Sequence, residues 1–234
     1  MEEKKKEEPK KEEHKKKNDV DKSIKVFAII IGILFILIIL FFIFRPQLAV
    51  FVGRLQGEVF EYGNFEFRHE KIGKVDQYST ILELVGPGMQ TYQYNFDLNN
   101  DPRELGEIPA RLEHRLMTIS FISFDKKSLE CNNSMLVAWK LGEFMGVVTG
   151  NPATAAVADQ ETLDFAEQEG YEGTYTIKNC DDAINQNVIL IRAGAETTQV
   201  YEEGSCIIIE AEDCRIVESS ERFMLAVLDI MFLV

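Results

Sequence analysis

Histidine is scarce in this chain, and so are the motifs of catalysis. Its three histidines in 234 residues are His14 in a charged tail, His69 in Phe67-Arg-His-Glu70 and His114 in Leu112-Glu-His-Arg115. These contexts read as solvated surface. No serine occupies a Gly-x-Ser-x-Gly elbow, so a hydrolase triad has no anchor. No glycine-rich loop is present to cradle a phosphate, and Gly170 and Gly204 stand alone as turn residues. No cofactor is expected. Internal repeats and Pro- or Ser-rich linkers are also missing. Lys/Arg patches with interleaved aromatics are absent too, so nucleic acid is not an expected partner.

Cysteine is absent until residue 131. The four that follow (Cys131, Cys180, Cys206, Cys214) are spaced 49, 26 and 8 residues apart, without the close Cys-x-x-Cys pairs that zinc prefers. An even number after an apolar run argues for two disulfides in an oxidising compartment, with three pairings formally open.

What is present is a hydrophobic run. Val26 to Phe44 are nineteen uncharged positions. As a helix they would reach about 28 Å, close to a hydrocarbon core of about 30 Å. Ten lysines precede the run, against Arg45 and Arg54 just after it. The positive-inside rule therefore predicts a cytoplasmic N-terminus and an extracytoplasmic remainder. A cleaved signal peptide would have a shorter run and small residues after it, where this chain has Arg45-Pro46-Gln47-Leu48. A pilin-type leader would need a glycine where Ile24-Lys25-Val26 stands. The expected organisation is a disordered charged tail (1–25), a signal-anchor span (26–44), a juxtamembrane segment (45–57) and a disulfide-stapled domain (58–234). The bilayer is thus one expected partner. The tail carries ten lysines against eight acids; the rest carries 15 basic and 31 acidic residues, about −16. Such acidity favours solubility in a cation-rich exterior.

Along the domain, Glu58 to Phe67 alternate around Gly63-Asn64 as a hairpin. Tyr78–Val85 and Gln90–Leu98 read as strands, and Asp101-Pro102 opens a short helix. Leu116–Phe124 reads as one strong strand. A helix capped by Asn133 or Ser134 is predicted to Val148, with apolar residues at 136, 137, 139, 141, 144 and 145. Asn151-Pro152 is predicted to start another, to Glu169. Val188–Arg192, Thr198–Tyr201 and Cys206–Glu210 read as strands, and Asp213 as the cap of a last helix to Phe232. That helix should be a core element rather than a second anchor, because Asp229 interrupts it. Phe223, Ala226, Val227 and Ile230 would face the sheet. The fold class is α+β (mixed α/β), with antiparallel strands first. An extended strand keeps Cys206 and Cys214 too far apart to bond. If the strands run parallel, Cys131–Cys214 would close one edge of the sheet and Cys180–Cys206 the other.

Tyr62-Gly-Asn-Phe-Glu-Phe67 and Asn100-Asp-Pro-Arg-Glu-Leu105 before Ile108 resemble the front of an uncharacterised family of archaeal membrane-anchored extracytoplasmic proteins. The back half is matched by Cys180-Asp181, Val188-Ile-Leu-Ile191, Thr198, Val200, Gly204-Ser-Cys206-Ile-Ile-Ile209 and Glu221-Arg-Phe223. The resemblance implies a Cys180–Cys206 bond and brings no activity with it. Gly63-Asn64 reverses the family's usual Asn-Gly, and Cys131 and Cys214 are additional, as a mutual bond would require.

Candidate chemistry is sparse. Asp97, Asn99 and Asp101 have calcium-loop spacing, but Pro102 and Ile108 exclude an EF-hand, leaving a looser site or a polar turn. Asn132-Asn-Ser134 is a glycosylation sequon beside a cysteine and a helix start. Glu210, Glu212 and Asp213, with Asp181 and Asp182, read as caps and solvated acids. Two functions are therefore expected to compete. One is a cell-surface structural or interaction protein binding an envelope partner or ligand; the other is an extracytoplasmic hydrolase using Asp/Glu or a metal. A concave pocket holding close carboxylates would favour the second.

Overall fold

The computed structural model describes residues 59–85, 90–113, 116–171 and 173–232. The tail, the apolar run, the juxtamembrane segment and His114 lie outside the described residues, and so do the expectations placed on them. No helix among the described residues is long and apolar enough to cross a membrane.

The fold is mixed α+β. Four strands form an antiparallel meander: β1 (Val59–Tyr62), β2 (Phe65–Ile72), β3 (Val75–Val85) and β4 (Thr91–Leu98). Tyr62 pairs with Phe65 across a two-residue turn. There Gly63 takes a φ of +58° while Asn64 is not left-handed. This is the type II′ arrangement, with glycine at the first central position, so the reversed dipeptide selects a different hairpin turn from Asn-Gly.

The second sheet has the order β5 (Ala110–Arg111), β10 (Gln199–Glu203), β11 (Cys206–Glu212), β9 (Asn187–Ala195), β6 (Ser120–Phe124), β7 (Thr154–Val157), β8 (Thr176–Ile177). Strands β11, β9, β6, β7 and β8 run parallel, while the β10–β11 hairpin is antiparallel. The helices are α1 (Pro102–Leu105), α2 (Lys126–Glu130), α3 (Ser134–Thr149), α4 (Gln160–Gln168) and α5 (Ile216–Phe232).

Helices α3 and α5 pack into the core with side chains from both sheets. Phe96 of β4 meets Phe144 of α3 at 5.8 Å between ring centres, and Phe144 meets Phe223 of α5 at 6.4 Å. On the other side Ile122, Ile189, Ile207 and Ile209 close the same core. This double burial explains why α5 hides Phe223 to Leu228 without a break, more than one face. Ile230 is only half-buried, which trims the predicted stripe at its end.

Three predictions need correction. The strand predicted from Leu116 begins only at Ser120, because the Asn187 side chain takes both the N–H and the carbonyl of Met117 (3.1 and 2.8 Å). The helix predicted from Asn151 to Glu169 is β7 followed by α4. Ala156 and Val157 are buried beside Ser123 and Phe124 of β6, and the helix waits for Asp159, whose carboxylate accepts from Thr162 N. Position in the sheet overrides the helical propensity of an alanine-rich run. Finally, Asp213 is not the cap of α5. It takes a φ of +51° and offers its carbonyl to Gly194, and α5 starts at Ile216.

Disulfides join Cys131 to Cys214 (Cα–Cα 5.5 Å) and Cys180 to Cys206 (5.1 Å). The first ties the loop before α3 to the loop before α5. The second ties the β8–β9 crossover to the start of β11. Two such bonds fit an extracellular or otherwise oxidising environment.

Candidate functional site

The sequence-predicted residues are dispersed by the fold. His69 is half-buried, bonded to Asp76 at 2.9 Å and stacked on Tyr78 at 4.6 Å, so it is a paired residue rather than a free surface base. Asp181 lies in a one-turn helix whose neighbour Asp182 forms a capping box with Asn179. Glu210 accepts from Gln199 and Tyr201, and Glu212 pairs with Arg215. Asn132 is exposed in the turn beside Cys131, while the Ser134 hydroxyl of the same sequon is buried and donates to the Leu129 carbonyl.

The Asp97–Asp101 turn is folded around a carboxylate rather than a cation. Glu221 of α5, 1% exposed, accepts from Asn99 N (2.8 Å), Asn100 N (3.1 Å), Asn100 Nδ2 (2.8 Å) and Lys140 Nζ of α3 (2.9 Å). Asp101 caps α1 and binds the Arg103 guanidinium. Among the described residues, no group of three His, Cys, Asp or Glu side chains is placed to hold a metal.

That network pins α3 against β4 and shapes what lies between them. A cavity of about 130 Å³ is lined by Tyr94, Asn95, Asp97, Trp139, Lys140, Glu143 and Met224. Tyr94 is half-buried and bonded to Glu143. Burial first, and then the Glu143 charge, push its hydroxyl up to about 12. Lys140 is already offset by Glu221, so the charge left on the wall is the Glu143 carboxylate, while Asp97 alternates with Tyr94 and Phe96 and projects from the opposite face of β4 beside Ser79. Asn95 and Asp97 also border a polar trough of about 600 Å³ on the outer face of the meander, with Arg68, Glu70, Gln77 and Ser79.

Beside the cavity α3 carries an apolar surface that no described element covers. Met135 is 57% exposed and Trp139 65%, with Leu136 also exposed, while Tyr92 of β4 lies toward the other end of α3, its hydroxyl donating to the Val147 carbonyl (3.3 Å). Positions 136 and 139 are among the apolar residues of this helix. The buried set is Val137, Leu141, Phe144 and Met145. Trp139 stands two residues from both Val137 and Leu141, about 200° around the helix, and so points away from the core. That phase difference was the available signal; Tyr94 and Glu221 left none.

No family model matches this sequence, no curated protein matches it, and no solved structure matches its fold.

Proposed function

We propose that the chain is a single-pass, membrane-anchored protein whose extracytoplasmic domain binds another envelope or membrane protein. The Val26–Phe44 run and the lysines before it support an anchor with a cytoplasmic N-terminus. The two disulfides support an oxidising exterior for the domain. On the motifs quoted above, the chain would fall among the archaeal anchored proteins it resembles.

The observation that carries the binding reading is the exposed surface of Met135, Leu136 and Trp139 beside the aromatic-lined cavity. Contiguous exposed apolar surface marks interaction sites, and tryptophan and tyrosine are the residues most enriched among binding hot spots. The test is photo-cross-linking in native membranes from a photoreactive residue at Met135, with one at the exposed Glu167 of α4 as control. A protein adduct at Met135 that disappears with Trp139→Ala is expected. Equal adducts at both positions, or none at Met135, would remove the reading.

A further inference from the structure

We propose that the cavity between β4 and α3 receives an arginine or lysine side chain of the partner protein, its cation held against the Trp139 face and the Glu143 carboxylate. This deepens the interaction reading and rests on it.

Charge chooses among the ligands an aromatic cavity can take. Glu221 neutralises Lys140, so the cavity faces its occupant with the Glu143 carboxylate. The chain beyond the tail adds about −16. An anion would meet like charge on the wall and a repulsive long-range field. A neutral sugar could stack on Trp139 but would gain nothing from the carboxylate. A cation gains from it, and tryptophan offers the strongest cation–π face. Burial chiefly raises the Tyr94 hydroxyl, and the neighbouring Glu143 charge adds to the rise.

The domain uses this chemistry elsewhere, at Arg103, Lys126 and Lys178. The Arg103 guanidinium lies 4.1 Å from the centre of the Phe60 ring while bonded to the Asp101 carboxylate. In the cavity the aromatic face and a carboxylate come from this chain, and the partner would supply the cation. Arginine suits it best, because a planar guanidinium can stack and bond to a carboxylate together. The polar trough that shares Asn95 and Asp97 gives the rest of a partner segment somewhere to lie.

The experiment uses the only tryptophan of the chain as its reporter. Full-length protein in detergent is titrated with the peptide Gly-Arg-Gly and with Gly-citrulline-Gly, its neutral isostere, while Trp139 emission is followed. A saturable change with the arginine peptide is expected. Its affinity should fall about fivefold or more with citrulline or with Glu143→Gln, and should weaken with salt. Glu143 is exposed, so the variant should fold, and an unchanged circular dichroism spectrum checks this. Equal binding of both peptides, displacement by a neutral saccharide, or no response would overturn the proposal. A Met135 adduct in membranes with charge-blind peptide binding would overturn this inference alone. Arginine-selective binding without the adduct would remove the membrane partner and keep the cation site.

Discussion

Glu221 shows how much one side chain can organise. Its carboxylate collects two backbone amides, one side-chain amide and an ammonium, joining the β4–α1 turn, α3 and α5. Glu221→Ala should cost about 3 kcal/mol or more, because it strands the Lys140 charge in a largely enclosed place. Urea unfolding measures this, and Glu221→Gln should lose less. Tyr94 makes a prediction at alkaline pH. Its folded hydroxyl ionises near 12 rather than the ordinary 10.0, so the fold disfavours tyrosinate and stability falls as pH rises through that interval. Ultraviolet titration of tyrosinate should show late groups, one of which Tyr94→Phe removes. Asp229 is raised as well, chiefly by burial, with Arg222 opposing. A raised carboxyl holds its proton longer in the folded state than in the unfolded one. Stability is therefore lost as pH rises from the ordinary value to the folded one. Asp229→Asn should flatten that decline in urea midpoints collected between about pH 3 and 7.

At the scale of elements, the sequence reading succeeded where periodicity was local and failed where a distant partner decided. The hairpin at Gly63-Asn64, strands β3 and β4, helix α3 and the β10–β11 hairpin follow from alternation, turn residues and caps within a few positions. The end of β6 depends on Asn187, 70 residues away from Met117. Strand β7 exists because β6 offers it a parallel slot, which its own Thr-Ala-Ala-Val composition does not announce. The candidate site was hidden for the same reason: Tyr94 and Trp139 meet only when the meander docks on α3. Two substitutions test the elements. Val227→Asp should prevent folding, since it would place a charge in the centre of the core against α5's neighbours, without a partner. Gly63→Ala should cost more than about 1 kcal/mol, because alanine tolerates the left-handed backbone poorly. Chemical denaturation with far-ultraviolet circular dichroism distinguishes the two outcomes.

For the whole molecule, the two staples differ in span. Cys131–Cys214 closes 83 residues and Cys180–Cys206 closes 26. On the chain-entropy view, replacing the first pair with serine should cost about 1 kcal/mol more than replacing the second. Mass mapping of unreduced protein should find these two links and no free thiol. Protease added to intact cells should digest the chain beyond Arg45 and spare an N-terminal tag if the proposed topology holds. The order of the cysteines also bears on biosynthesis. During synthesis at about 5–20 residues per second, Cys180 waits roughly one to five seconds for its partner. Cys131 waits several times longer, and Cys180 emerges 49 residues after it, well ahead of Cys214. The first thiol that Cys131 meets is therefore a wrong one. An exporting cell that oxidises this protein early must also be able to reshuffle it.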